Sequence, residues 1–483
     1  MSKAGAQRGE QSEPNRVSAY RDVWDSHIRR HRDTAILRLI SLTLWLLLFG
    51  IEAPLSRAQS VPEQSPSAES VTNKLSIDLP TALRLAGAQN LDIKLAKAKV
   101  EEARANAESA TWQFFPSLSP GVGWRRHDNL IQDVGGTLFE AHKESYAVGP
   151  TLSGQIDFGD AIYKRLAARQ LAKAADFALA SQQQDTILAA AQGYFDLARA
   201  RAGAVVAAES VRISADYGGQ VEQAAEAGIA FRGDALRVQV QTERNRLTLR
   251  QAQEQERLAG ARLAEVLRLE DTTELEPSAE ELVPLTLTKT NVPLHNLVIQ
   301  ALASRPEIKQ SRAFQEAARE AKNGAVYGPL IPSLGAQVFA GGLGGGKDGT
   351  PSKFGESEDY QVTLGWRIGP GGLFDRGRVH ATSARLQIAE LNRQKLMDEI
   401  TRQVLEAHTR VQSLGDQVDT AGRAVRAAEE TLRLTRQRRE FAVGIVLENI
   451  QAEQDLTRAR LDYVNAVAEF NKAQYQLRKA AGD

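Results

Sequence analysis

The stretch that comes nearest to known chemistry is "GGLGGGKDGTP", Gly341 to Pro351. Gly341, four residues, Gly346 and Lys347 fit most of a phosphate-binding loop. The next residue should be Ser or Thr, to hold Mg²⁺, and is Asp348. The stretch also lies between two alternating segments, with no helix behind it to receive a phosphate at its N-terminus. It reads as an exposed, flexible loop joining two strands. His27 and His31 have the spacing of a helical ligand pair, but fall in a leader. The other histidines are scattered, and neither a zinc-protease motif nor a serine-hydrolase elbow is present. There is no cysteine, which excludes disulfides, thiolate metal sites and a lipidated N-terminal Cys. Catalysis, a cofactor and a metal are therefore not expected. Lysine plus arginine equals aspartate plus glutamate, 60 each, so nothing argues for a nucleic-acid partner.

With no reactive constellation to position, the elements themselves carry the information. Arg29, Arg30, Arg32 and Arg38 precede an apolar run, Leu39 to Ile51. That run is short of the ~20 residues a spanning helix needs. Ser56 and Ala58, in "PLSRAQS", have the small–x–small spacing of a signal-peptidase site. Residues 1–58 are expected to be a signal peptide with a long basic region, and 59–75 a disordered linker rich in Ser, Pro, Gln and Glu.

The rest is written twice. Residues 76–270 and 292–480 pass through the same elements in the same order, with 271–291 as a Pro- and Thr-rich linker. "NLDIKLAKAKVEEA" matches "RPEIKQSRAFQEAA", and "FFPSL" matches "LIPSL". Pro116 and Pro332 each end a helix. Alternating segments follow at about 117–126 and 145–158, and again at about 333–341 and 358–368. In the second, Tyr146, Val148, Leu152, Ile156 and Phe158 oppose Ser145, Thr151, Gln155 and Asp157. In the fourth, Tyr360, Val362, Leu364, Trp366 and Ile368 oppose Gln361, Thr363, Gly365 and Arg367. Each is about ten residues, the length of a tilted membrane strand with one apolar face. Trp124, Tyr146, Phe158, Tyr360 and Trp366 suit the lipid–water interfaces. A hairpin in a soluble domain shows the same alternation once; two at matched positions in an exported chain favour lipid. Four strands cannot close a barrel, since about eight is the smallest number that does. An open sheet in lipid leaves unpaired backbone groups, each costing several kcal/mol. The missing strands must come from other copies, two giving eight strands and three giving twelve.

Long helices are expected at about 159–225 and 231–269, and at about 373–440 and 446–479. In the third, Val404, Val411, Val418, Val425 and Leu432 recur every seven residues. Ile400, Ala407, Leu414, Ala421 and Ala428 do the same four positions earlier, completing a heptad seam.

The duplicated order, the "FPSL/IPSL" junctions and the C-terminal "VGIVLENIQAEQDLTRARLDYVNAVAEFNKAQYQL" resemble the TolC-type outer membrane efflux proteins over residues 77–480. The resemblance implies a mainly α fold with membrane β-strands. It implies a homotrimer, in which a 12-stranded β-barrel continues into a 12-helix periplasmic α-barrel. It further implies an exit duct in the outer membrane lipid, docked on a periplasmic adaptor (membrane fusion protein) and, through it, on an inner membrane RND or ABC pump. The family's tip turns look like Gly228 and Ile229, and like Val443, Gly444 and Ile445, which become adaptor-docking candidates. Its pore-narrowing acids align with Asp234 and Glu448; a further acidic position aligns with Gln451, and Glu453 lies nearby. The competing expectation is a periplasmic adaptor or coiled-coil scaffold without a pore. Such proteins carry one helical hairpin and β domains, where this chain has two hairpins.

Overall fold

In the computed structural model the described residues are 73–482, apart from 116, 271–272, 279–280, 288–291, 348–349 and 441–445. The leader, most of the first linker and the turn Val443-Gly444-Ile445 lie outside them. The chain enters through a short strand β1 (Asn73–Ile77), then α1 (Leu79–Gln89) and α2 (Leu91–Trp112). Asp78 caps α1 by accepting from the Thr81 N–H, and Asn90 caps α2 from the Asp92 N–H. Strands β2 (Ser117–His127) and β5 (Lys143–Asp157) flank a small hairpin, β3 (Leu130–Gln132) and β4 (Leu138–Glu140). Helix α3 (Phe158–Glu226) and its return α4 (Arg232–Leu267) complete the first copy.

After β6 (Thr273–Pro277) the order recurs: α5 (Leu294–Ser304), α6 (Pro306–Tyr327), β7 (Ser333–Lys347), β8 (Thr350–Gly365), α7 (Arg376–Glu440) and α8 (Val446–Ala481). Helices α3 and α7 have 69 and 65 residues. At 1.5 Å per residue each is about 100 Å long. Among the described residues no helix is long and apolar enough to cross a membrane.

Several boundaries differ from the sequence-based expectation. Phe158 begins α3 instead of ending a strand. Strand β8 stops at Gly365, so Trp366 follows it. The glycines of "GGLGGGK" lie inside β7 and are not a loop. Their reason is steric. A Cβ on Gly344 would collide with the Tyr146 ring, and one on Gly342 with the Phe354 ring. Those rings stack across the strand at 6.0 Å between centroids, 15° from parallel. The glycines make room for them.

Within the linkers, β1 and β6 pair in parallel, Asn73 opposite Thr273 and Ile77 opposite Pro277. Ile77 and Leu275 from this pair join Tyr194, Leu197, Leu263 and Leu267 in one buried cluster. Strand β1 and the joint between copies are thereby packed on the middle of α3 and the C-terminal end of α4. Asn471 of α8 holds the strap that follows β6, accepting from the Leu285 N–H at 2.7 Å and donating to the Val283 carbonyl at 2.9 Å.

The heptad seam of α7 is buried as its spacing predicts. Ile400, Val404, Ala407, Val411 and Leu414 pack with Ala473 and Leu477 of α8, and Leu432 packs with Leu456. An ion pair ties the two copies together: Lys472 of α8 bonds Asp196 of α3 at 2.9 Å. Within the second copy, Arg410 of α7 bonds Glu469 of α8 at 3.0 Å.

Candidate functional site

Two regions follow from this frame: the sheet at one end of the long helices and the turns at the other.

The sheet has four strands in the order β2-β5-β7-β8, antiparallel throughout. Its registers set the faces. Leu118, Leu152, Val338 and Tyr360 form one row, and Trp124, Tyr146, Gly344 and Phe354 another on the same face. That face also carries Val122, Val148, Val362 and Leu364. It is uncovered: Val122 is 77% exposed, Val362 76% and Trp124 65%. Single exposed apolar residues are ordinary; a continuous apolar sheet face is not. The opposite face carries Ser119, Gly123, Thr151, Gln155, Gln337, Gly341, Gln361 and Thr363, with Phe339 and Leu343 as its large apolar residues.

Along β8 the apolar face is interrupted after Tyr360, whose hydroxyl donates to Glu358 at 2.9 Å, by Glu358 and Glu356, and resumes at Phe354. Phe354 joins Trp124 and Tyr146 in the aromatic row. The sequence hid it, because its strand was expected to start later. Trp366 donates its indole N–H to the Leu330 carbonyl at 3.2 Å, bridging the strand end to the turn before β7.

Where sheet becomes helix the backbones nearly touch. A Cβ on Gly159 would collide with the Gly328 carbonyl. Arg378 of α7 reaches Asp160 of α3 at 2.6 Å, and Arg367 reaches Asp157 at 3.3 Å. Asp375 accepts from the Gly371 and Arg378 N–H groups, capping α7; these bonds hold its carboxyl below the ordinary value of 3.8.

At the far end Gly228 closes α3 with φ +75°, the left-handed conformation that favours glycine. Open space lies where its Cβ would stand. Ile229 is 84% exposed, and Phe231, which sequence reading passed over, 74%. Two apolar side chains in a solvent-facing turn were the signal for it.

Asp234 and Glu448 each sit in the first turn of a helix, where a negative charge is favoured. Asp234 pairs with Arg237 at 3.1 Å and Glu448 with Arg438 of α7 at 3.3 Å. Gln451 is exposed. Glu453 differs. It is 6% exposed, accepts from the Asn449 amide at 3.0 Å and packs inside the protomer. It is therefore not free to narrow a pore, contrary to the expectation from its sequence position. Among the described residues no group of three or more His, Cys, Asp or Glu could hold a metal ion.

An amphipathic sheet whose apolar face is bare, continued by paired rods about 100 Å long, defines a membrane-embedded strand assembly with a helical extension. The comparisons place it further. The family model for outer membrane efflux protein matches residues 82–267 and 297–483, one block for each copy, and the chain belongs to that family. It is thus an outer membrane protein with a large periplasmic extension. A membrane protein from Pseudomonas aeruginosa has the same fold, with a TM-score of 0.72 and 18% identity over 89% of this chain and 100% of that one. CmeC, the outer membrane channel of Campylobacter jejuni, gives 0.70 and 17% over 89% and 94%. The outer membrane protein VceC of Vibrio cholerae gives 0.69 and 18% over 84% and 96%. No curated protein matches the sequence.

Proposed function

We propose that three copies of this chain form a passive exit duct, the outer component of a tripartite efflux or type I secretion system. It would carry drugs, other small molecules or proteins from periplasm to exterior. The observation that carries the reading is the sheet's pair of free edges, β2 and β8. In the antiparallel order β2-β5-β7-β8 these edge strands run opposite to one another. Copies set side by side therefore continue the same up-and-down pairing, and three give twelve strands with no edge left in lipid. The polar face would line the hole and the apolar face would meet the membrane.

The tips at Gly228, Ile229, Val443, Gly444 and Ile445 are the docking surface for the hairpins of a periplasmic adaptor, which joins the duct to an inner membrane RND or ABC pump. Ile229 and Phe231 supply exposed apolar anchors there. Asp234, Glu448 and Gln451 would stand at the closed periplasmic end. The adaptor opens it to the extent that it binds the splayed state better than the closed one.

Purified in detergent, the protein should run as a heat-dissociable trimer, fractionate with outer membranes and give conductance steps in planar bilayers. A monomer soluble without detergent would remove the duct, and would favour the scaffold alternative.

A further inference from the structure

We infer that the outer mouth of the lumen is ringed by fixed positive charge and favours anionic solutes. This rests on the duct reading above, which turns the polar face of the sheet toward the hole.

The register places the charges. Arg125 lies opposite Ser145, Ser145 opposite Gly345, and Gly345 opposite Lys353. One row across the sheet therefore reads Arg, Ser, Gly, Lys. Each of the four is the sequence neighbour of a residue in the row Trp124, Tyr146, Gly344 and Phe354, so it occupies the other face. Lys143 shares the face of Ser145, one row further out. All three cations are exposed, and none has an ion pair among the described residues. Nothing larger than serine separates Arg125 from Lys353 within their row. The next row inward is Gly123, Ala147, Leu343 and Gly355, without charge.

No acid shares the row of Arg125 and Lys353. Asp128 is held by Arg126 at 2.7 Å and by His142 at 3.0 Å. Glu144 pairs with Arg126 on the apolar face at 3.2 Å. Asp133 accepts from the Thr137 N–H in the hairpin turn. Glu356 and Glu358 lie on the apolar side, and Asp359 lies deeper along β8. A single arginine, Arg126, serves both Asp128 and Glu144, and Asp133 keeps its charge, so the ring is set by the row that holds Arg125 and Lys353 on the polar face and not by an excess of cations over the described acids near the mouth. At the tips, Asp234 and Glu448 are each paired with an arginine, so the entrance sets up no strong opposing ring.

Rings of Arg and Lys select anions in wide pores through their summed field. Around a shared axis each cation is repeated in every copy. The field reaches about 8 Å at physiological salt and about 30 Å at 0.01 M, so selectivity should be strongest when salt is dilute.

The test is the reversal potential of the full chain in planar bilayers under a potassium chloride gradient. Wild type should favour chloride, by about two- to fivefold at low salt. The neutral pair R125Q/K353Q should lower that ratio, and the charge reversal R125E/K143E/K353E should turn it toward potassium. Each variant is first shown to run as a trimer, which separates a lost field from a lost fold. Conducting trimers whose reversal potential is the same in all three proteins would overturn the ring. A preparation that never conducts would overturn the duct itself, and the ring with it.

Discussion

At the scale of single residues, glycine sets the tightest contacts. Gly159 lets two backbones cross where a methyl group would meet the Gly328 carbonyl. Gly159→Ala should therefore sharply reduce heat-resistant trimer on gels, whereas Gly121→Ala, with open space around its Cβ position, should leave it unchanged. At Gly228 the constraint is φ. Gly228→Val forces a β-branched residue into the left-handed region, at a local cost of about 1–2 kcal/mol. Trimers should persist while export, read as drug susceptibility of the host, is lost; undiminished export would remove the docking role of this tip. Glu307 offers a titration. Burial pushes its carboxyl up, but the hydrogen bond and charge of Arg305, itself 4% exposed, outweigh that and hold it below the ordinary 4.5. A depressed acid stabilises above its unfolded value and stops doing so as pH falls through its folded one. The stability difference between wild type and Glu307→Gln should then be full above about pH 4.5 and close in more acidic solution, as followed by thermal unfolding. Of these, Gly228 was legible in advance as a tip turn, whereas Gly159 and Glu307 were not. Sequence marked Gly341–Gly346 as glycine-rich, but only the registers show that Tyr146 and Phe354 need the room.

At the scale of elements, periodicity carried most of the information. The seven-residue recurrence in α7 places Ile400 and Val404 in contact with α8, and both are fully buried. Ile400→Ala should cost about 2–5 kcal/mol by loss of burial and a cavity. Ile388→Ala, on an exposed position of the same helix, should cost far less. Loss of helical circular dichroism on heating would measure both, and equal costs would mean that the seam is not what holds the hairpin. Alternation likewise revealed the four strands and their apolar faces. It failed at their ends, because a strand that leaves the lipid no longer needs to alternate: β7 continues through glycines and β8 begins among polar residues. The β1–β6 pair was invisible for another reason. Its partners are far apart in sequence, and each is a five-residue run that local pattern cannot distinguish from a linker.

At the scale of the whole molecule, duplication was plain in the sequence, and counting strands called for more than one copy while leaving two or three open. What the sequence could not show is how the two copies are held to one another. That is done by the β5–β7 seam, by Arg378 on Asp160 and by Lys472 on Asp196. The two unpaired edges have a genetic corollary. In the proposed trimer, a barrel drawn from three chains is only as sound as its least sound member, so a defective allele should act through dosage. If one chain lacking the β7–β8 hairpin is enough to breach the wall, equal amounts of it and the intact chain would leave about one eighth of the trimers whole, by random mixing of three subunits. Such an allele would be dominant, and raising the intact gene's copy number would relieve it.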